Sequence, residues 1–550
     1  MLESYQPSVV VGKIVGMRSR VGVAVLMCAG LGAGCAAILG FEGTSLQGEV
    51  LPADGGDGAL PEDAGDAGAS SFSISPSALI IRRGKSATVE VTVVRGSDAI
   101  AGVGVQVQNL PPGLSAPPMM LDPGTTKATL TISATKTASL GKASVRVLTD
   151  IANLAAASVD VLVADEPGTL DQTFGPAGFI VDNARGPSAT FYALGTDATG
   201  RILAGGALVG AAPQGSGGWF LERFSALGEV DTAFRTATGG LPANGELRAI
   251  AIDKVGKIVC VGTSTDIGAP QLTVVRLNPE GTIDPSFNGG TVRFSTTDGA
   301  LGTNGYAVAI QDDGMIVVAG AKQDGVSESG ILARLTATGT RDATFNGNAP
   351  VVLAQHHFVG VAVDAQGRLL VAGTDTTNPL TSYFLMRRTP QGAFDTTFGN
   401  AGVLAFGLGF RANAFVRMDG GALAVMGDST QTGALYTGGV GSADGGQIWA
   451  RGLANGQGAS YYGVATDTSG RLLAAGHTVG ANPEARVDRV LADGNYDAVF
   501  GDGGTSFVEP AGLANGIDVT LFASSVQSDG RILVGGNRST GGAVLYRLWQ

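Results

Sequence analysis

The residues best placed to do chemistry are an arginine and an aspartate eight positions apart, because the pair returns along the chain in one unvarying frame. Arg223, Gly228, Asp231 and Phe234 form one copy; Arg276, Gly281, Asp284 and Phe287 a second; Arg334, Gly339, Asp342 and Phe345 a third. Arg387, Gly392, Asp395 and Phe398 follow, then Arg489, Gly494, Asp497 and Phe500. A headless copy stands at Gly168, Asp171 and Phe174, and an isolated head, Arg547, three residues before the last. A guanidinium beside a carboxylate could clamp a substrate acid or tune a catalytic group. A site is used once, however, and a pair repeated this often points to architecture. Two structural roles fit. Either Arg makes charge-assisted bonds to the Asp of the following turn while Phe plugs between repeats, or Asp only caps its turn through a backbone bond.

The other candidates are few. His356, His357 and His477 have no spacing suited to zinc, and the adjacent pair falls in a strand-linking loop where solvated side chains are expected. Cys260 lies in the apolar strand pattern KIVCVG, which predicts a buried structural thiol rather than a nucleophile. The acidic turn QDDG at 311–314 is similar to a fragment of a calcium loop, but hairpin chemistry accounts for it. No Ser-x-Asp-x-Gly-x-Thr-Trp repeat, no tryptophan-docking repeat and no histidine cluster occurs. No catalytic residue, no metal and no cofactor is therefore expected.

The chain that must position these residues has 550 of them, enough for two or three domains. Its 87 glycines, 15% charged residues and scarcity of helix-length amphipathic runs predict an all-β fold. A formal charge of −12 without a Lys/Arg cluster argues against a nucleic-acid partner. Three cysteines supply no disulfide framework.

Residues 17–35, MRSRVGVAVLMCAGLGAGC, have a basic start, an apolar run and small residues before a cysteine, the layout of a secretory signal. The run is too short and glycine-rich for a membrane-spanning helix. Gly32-Ala33-Gly34-Cys35 resembles a bacterial lipoprotein lipobox, with Leu31 one place earlier than the usual branched residue. The resemblance implies cleavage before Cys35 and acylation there, and Ala36 after the cysteine implies outer-membrane delivery; the alternative is a plain signal peptide and a secreted soluble protein. Residues 1–35 are read as this address, with Met17 an alternative start. Residues 36–71, rich in Gly, Ala, Asp and Pro, cannot bury enough apolar surface to offset their ordering entropy and read as a flexible acidic tether. Residues 72–165 switch to period-two patterns broken by Arg83-Gly84, Pro111-Pro112-Gly113 and Asp122-Pro123-Gly124. They predict an antiparallel sandwich similar to immunoglobulin-like modules, acting as a spacer or as a ligand-binding module.

Beyond Asp165 a second element supports the first: an apolar strand, a tight turn ending in Gly, and another apolar strand. Its turn glycines are Gly200, Gly256, Gly314, Gly367, Gly420, Gly470 and Gly530, a mean period of 55 residues. Four short strands per period, called a to d, repeated seven times predict a seven-bladed β-propeller over 166–550. The two motifs resemble the delta-60 repeat, whose consensus runs L-D-x-x-F-G-x-x-G, an apolar strand, D-G-K-hydrophobic-G and A-R-L-x-x-D-G; no biochemical activity is implied by that resemblance. The region opens with a lone d strand at 178–182 and ends after a, b and c at 543–548, so these two strands should complete one sheet and remove an open edge. The repeat between Gly420 and Gly470 lacks the Arg-Gly-Asp-Phe frame, with Val440 where Arg belongs and Trp449 offered as the replacement anchor.

In a meander the a–b and c–d turns share one face, and the b–c and d–a loops the other. The second face carries the variable segments, 208–218, 263–271, 295–304, 323–329, 374–382 and 509–516, and is the expected recognition surface for a protein or glycan. The function this predicts is a non-catalytic, surface-anchored binding or scaffold head, expected monomeric, exported and held to the membrane through Cys35. The alternatives are a propeller hydrolase, lyase or dehydrogenase with its site at the central channel, or a structural envelope component.

Overall fold

The computed structural model describes residues 70–550 apart from 96–101, 152–153, 209–216, 295–300, 326, 378–381, 409, 418–422, 430–434, 441–446, 454–458, 480–482 and 509–517. The signal, Cys35 and nearly all of the tether lie outside the described residues, as do most of loop 208–218, all of loop 509–516 and the side chain of Trp449. The rest is all β apart from one short α-helix, Thr232–Ala237, and two 3-10 turns.

The first unit is a two-sheet sandwich. One sheet runs Ser71–Ser75, Ser86–Val94, Lys127–Ala134, Leu114–Ser115; the other runs Ala78–Arg82, Ala157–Ala164, Gly141–Thr149, Val103–Gln108, Met119–Leu121. Strict alternation puts Val89, Val91, Val93, Leu130, Ile132, Val145, Val147, Val159 and Val161 into one core between them. The pairing is not wholly antiparallel as the patterns predicted. The chain leaves the first sheet at Ser75 and enters the second at Ala78, where it runs parallel to Ala157–Ala164. A strand that switches sheets without a hairpin has no local turn to impose the antiparallel direction.

The second unit holds, among the described residues, seven antiparallel sheets. Their a strands are Ala189–Thr196, Gly245–Ile252, Gly302–Ile310, His356–Val363, Phe410–Arg417, Ala459–Thr466 and Val519–Val526. Each packs on the a strand of the following sheet, and Val519–Val526 packs back on Ala189–Thr196, which closes a ring around a central channel. Each core is shared by two successive sheets, as where Val259, Val261, Leu272 and Val274 meet Ile316, Val318 and Ile331. No sheet buries its apolar faces alone, the physical reason such repeats form only as an array.

In the last sheet, Phe179–Asp182 pairs antiparallel with Ala543–Leu548, Phe179 opposite Tyr546 and Asp182 opposite Ala543. Four strands per repeat was one too many for the sheet that starts at Ala189, which has three. The stretch after Asp231 lacks a period-two apolar run and instead winds into the helix, whose N-cap Asp231 accepts a bond from the Phe234 amide at 3.0 Å. The sandwich rests on the ring through Leu162, Ala164 and Trp549, and through Arg82, which donates to the carbonyls of Asp165 (2.6 Å) and Gln550 (3.0 Å).

Candidate functional site

The repeated Arg and Asp meet in every complete copy. Arg223 Nη2 lies 2.7 Å from Asp231 Oδ2, and the Nε atoms of Arg276, Arg387 and Arg489 lie 2.7, 2.8 and 2.9 Å from Asp284, Asp395 and Asp497. Arg334 Nε donates to Asp342 Oδ2 at 2.6 Å. The two roles weighed for Asp coexist: Oδ2 takes the guanidinium while Oδ1 accepts the backbone amide of Ser286, Thr344, Thr397 or Val499 in its own turn. The guanidinium also covers the Phe of its frame, at 4.3 Å for Phe234, 4.5 Å for Phe287, 5.1 Å for Phe345, 4.8 Å for Phe398 and 4.5 Å for Phe500. It then reaches forward to the next sheet's turn, Arg223 to the Pro279 carbonyl and Arg276 to the Ala337 carbonyl, both at 2.5 Å. A residue the sequence reading missed joins this knot: the cation just after the turn glycine. Lys257, Arg471 and Arg531 place a nitrogen 2.7, 3.1 and 2.7 Å from Asp284, Asp497 and Asp171.

These knots are mortar between sheets. Phe234 lies where a side chain on Gly281 would have to go, 2.9 Å from an added Cβ, and Gly281 holds φ +93°. Gly281→Ala is therefore expected to lower stability by about 1–3 kcal/mol in chemical denaturation. The signature carboxylates also set the acid limit. The Phe234 amide first, then Arg223, holds Asp231 below the ordinary carboxylate range; at Asp284 and Asp342 burial opposes the shift, but the bonds from Lys257, Ser286, Thr344 and the arginines prevail; at Asp395 Thr397 leads. Depressed carboxylates contribute stability that is present above the unfolded value of about 3.9 and is lost as pH falls through the folded values. The melting temperature should hold down to about pH 4 and then fall continuously toward pH 2.

A different set of residues faces the channel. Each a strand carries a β-bulge at one fixed place, where Tyr192, Arg248, Tyr306, Val359, Asn413, Tyr462 and Phe522 are skipped by the ladder. A bulge re-aims the side chain it frees, and all seven line a channel of about 640 Å³. Six of them stand eight residues before the turn glycines Gly200, Gly256, Gly314, Gly367, Gly470 and Gly530, a register the sequence displays but our motif reading did not use. They stand at the middle of their strands, with His357 and Arg411 on the side nearer the d–a loops.

At that mouth two sides differ. On one, Tyr462, Phe522 and Tyr192 follow one another with centroids 5.3 and 5.1 Å apart, and Tyr462 stacks on His477 at 5.8 Å. On the other, His357 Nδ1 lies 2.7 Å from Glu328 Oε2, and its ring sits tilted against Tyr306 at 4.8 Å. Gln323 donates to the other oxygen of Glu328. Glu246 accepts from Arg248 Nε at 2.7 Å, and that guanidinium covers Tyr192 at 4.0 Å. The hydrogen bond from His357 leads in holding Glu328 down to about 2, against burial and with help from Gln323 and Arg411. Burial, then Glu328, pushes the Tyr306 hydroxyl up.

The histidines are thus corrected. His356 and His357 open a strand rather than lie in a loop, and His357 is mostly buried and paired. Cys260 is buried and pushed up to about 12 by loss of water, which leaves it inert. Among the described residues no group of three or more His, Cys, Asp or Glu is placed to hold a metal ion.

Residues 256–287, 311–345 and 366–398 match the family described as Domain of unknown function (DUF5122) beta-propeller. The repeat is of the β-propeller type. No curated protein matches the chain. Among solved structures it is similar to an alpha-L-arabinofuranosidase from Clostridium thermocellum ATCC 27405, at 11% identity over 48% of this chain and 94% of that one, with a TM-score of 0.29. An exo-beta-1,3-galactanase from Clostridium thermocellum matches at 11% identity over 67% and 86% with a TM-score of 0.27, and a GH43 beta 1,3 galactosidase at 10% over 70% and 94% with a TM-score of 0.30. The expectation of a non-catalytic head, and with it that of no enzyme, is corrected to this extent, that the solved structures found similar are named as glycosidases. At these scores nothing of their activity is carried across, and the case for chemistry on this propeller rests on its own channel mouth.

Proposed function

We propose that this chain is a hydrolase whose acid–base site is the channel mouth, with His357 as the proton-transferring group and Glu328 as the carboxylate that orients it. The observation that carries this reading is that His357, which lines the cavity together with all seven bulge residues, holds its Nδ1 2.7 Å from Glu328 Oε2. An ionised carboxylate only accepts, so Nδ1 carries the imidazole proton and Nε2 is left to take one from an attacking water. The imidazolium so formed is stabilised by Glu328 and returns its proton to the leaving oxygen. Tyr306, tilted against the ring, limits its rotation, and Glu246 brings a second carboxylate on the preceding sheet.

Around this site the finer architecture we propose is a seven-bladed ring of delta-60-type repeats, an immunoglobulin-like spacer, and an export segment ending at an acylated Cys35. The Gly-Ala-Gly-Cys run and the acidic tether support delivery to the outer membrane or cell surface, where a tethered monomeric hydrolase meets extracellular substrates. The test is turnover by the full chain of chromogenic esters, phosphates and glycosides, beside Glu328→Gln and His357→Ala. Turnover by the native protein that both variants lower at unchanged melting temperature, His357→Ala the more, is expected. Absence of turnover throughout the panel, or equal rates in the variants, overturns the reading.

A further inference from the structure

The aromatic side of the mouth lies outside the buried packing between sheets. In the three a strands concerned, the residue before each bulge, Phe191, Tyr461 or Leu521, is fully buried and does the packing between sheets. The bulge residues Tyr192, Tyr462 and Phe522 are only partly buried, with their rings against one another in the channel. Three contiguous rings left accessible in a concave site form an apolar shelf of the kind that marks a ligand.

The opposite side says which ligand. The charged side chains that line the cavity are Arg248 and Arg411, beside His357; Arg248 is already paired with Glu246, and His357 with Glu328, two carboxylates that do not themselves line it. Exposed Arg411 is near enough to Glu328 to lower its pKa, so its field is also partly answered. Electrostatic recognition of a charged ligand needs an excess of one sign, which this mouth lacks. What it offers is a mixture of donors and acceptors facing an apolar shelf. A molecule with apolar C–H faces and a rim of hydroxyls matches both sides at once.

We infer that the channel mouth binds an uncharged saccharide, one ring face laid on Tyr462, Phe522 and Tyr192 and its hydroxyls turned toward Arg248, His357 and Arg411. The inference gives the proposed hydrolase its substrate class, and binding can be tested apart from turnover. A cavity of about 640 Å³ falls within the range of about 300–1,000 Å³ typical of small-ligand sites, room for a short oligosaccharide end rather than a polymer threaded through.

Calorimetric titration of the full chain carrying Glu328→Gln, which slows cleavage, is made with neutral pentose and hexose oligosaccharides of both anomeric linkages and with hexuronate oligosaccharides. At least one neutral saccharide is expected to bind. Phe522→Ala should weaken it tenfold or more, while Phe522→Tyr, which keeps the ring face, retains it. Tyr192→Leu is the second reading if Phe522→Ala melts early. The inference is overturned if no neutral saccharide binds, if hexuronates bind better, or if the folded shelf variants bind like their parent. Binding of a neutral sugar with no glycoside ever cleaved sinks the hydrolase and leaves this inference standing. Cleavage confined to esters or phosphates, with no sugar bound, does the reverse.

Discussion

Replacing His357 by Ala is expected to lower kcat/KM by about 10²–10⁴-fold, the usual worth of a positioned general acid or base, at an unchanged melting temperature. Its partner should behave differently. Glu328→Gln keeps a hydrogen-bond acceptor facing Nδ1 through its amide oxygen but removes the charge that stabilises the imidazolium, so a smaller loss in kcat is expected with little change in KM. The pH profile separates the two groups. Glu328 is held down to about 2, so it stays ionised throughout the working range. An acid limb that persists unshifted in His357→Ala would remove His357 from the chemistry.

The second large effect is on the ring itself. Asp171→Ala is expected to lower stability by about 3–5 kcal/mol, because it strips a fully buried carboxylate from two cations, Arg531 at 2.7 Å and Arg547 at 2.9 Å. The headless copy of the repeat and the isolated head stand at opposite ends of the unit's sequence, and here they form one frame. Arg547 pairs with Asp171, covers Phe174 at 4.7 Å and receives the Asp171 amide on its carbonyl at 2.8 Å. The ring is thereby clasped by side chains as well as by the pairing of Phe179–Asp182 with Ala543–Leu548. The control is Glu90→Ala on the sandwich, whose partner Lys127 is 60% exposed and whose loss should cost less than about 1 kcal/mol. Equal costs for the two substitutions in urea denaturation would show that the clasp adds nothing to closure.

Much of the architecture was legible because it repeats. A strand, a turn glycine and a second strand returning at a regular interval report a sheet that cannot stand alone, and the constant Arg–Asp spacing reports a bond within one turn. Both are local, so the chain displays them directly. The helix at Thr232–Ala237 was missed because our reading extended the repeat across a stretch whose own residues break the alternation. The parallel strand at Ala78–Arg82 was missed because direction, unlike burial, leaves no period in a single strand.

The candidate site was hidden for a related reason. Glu328 and His357 are 29 positions apart on different sheets, and neither belongs to the repeated frame. Tyr192 and Phe522 lie at opposite ends of the ring's sequence yet their rings touch, because the last a strand packs on the first. Sequence by itself determined the unit of construction: its length, its apolar strands, its turns and the ion pairs that bind one unit to the next, all set by neighbours close along the chain. Tertiary structure alone decided what the units enclose, since a bulge turns one residue per sheet toward the axis, and only closure of the ring brings those seven residues into one cavity.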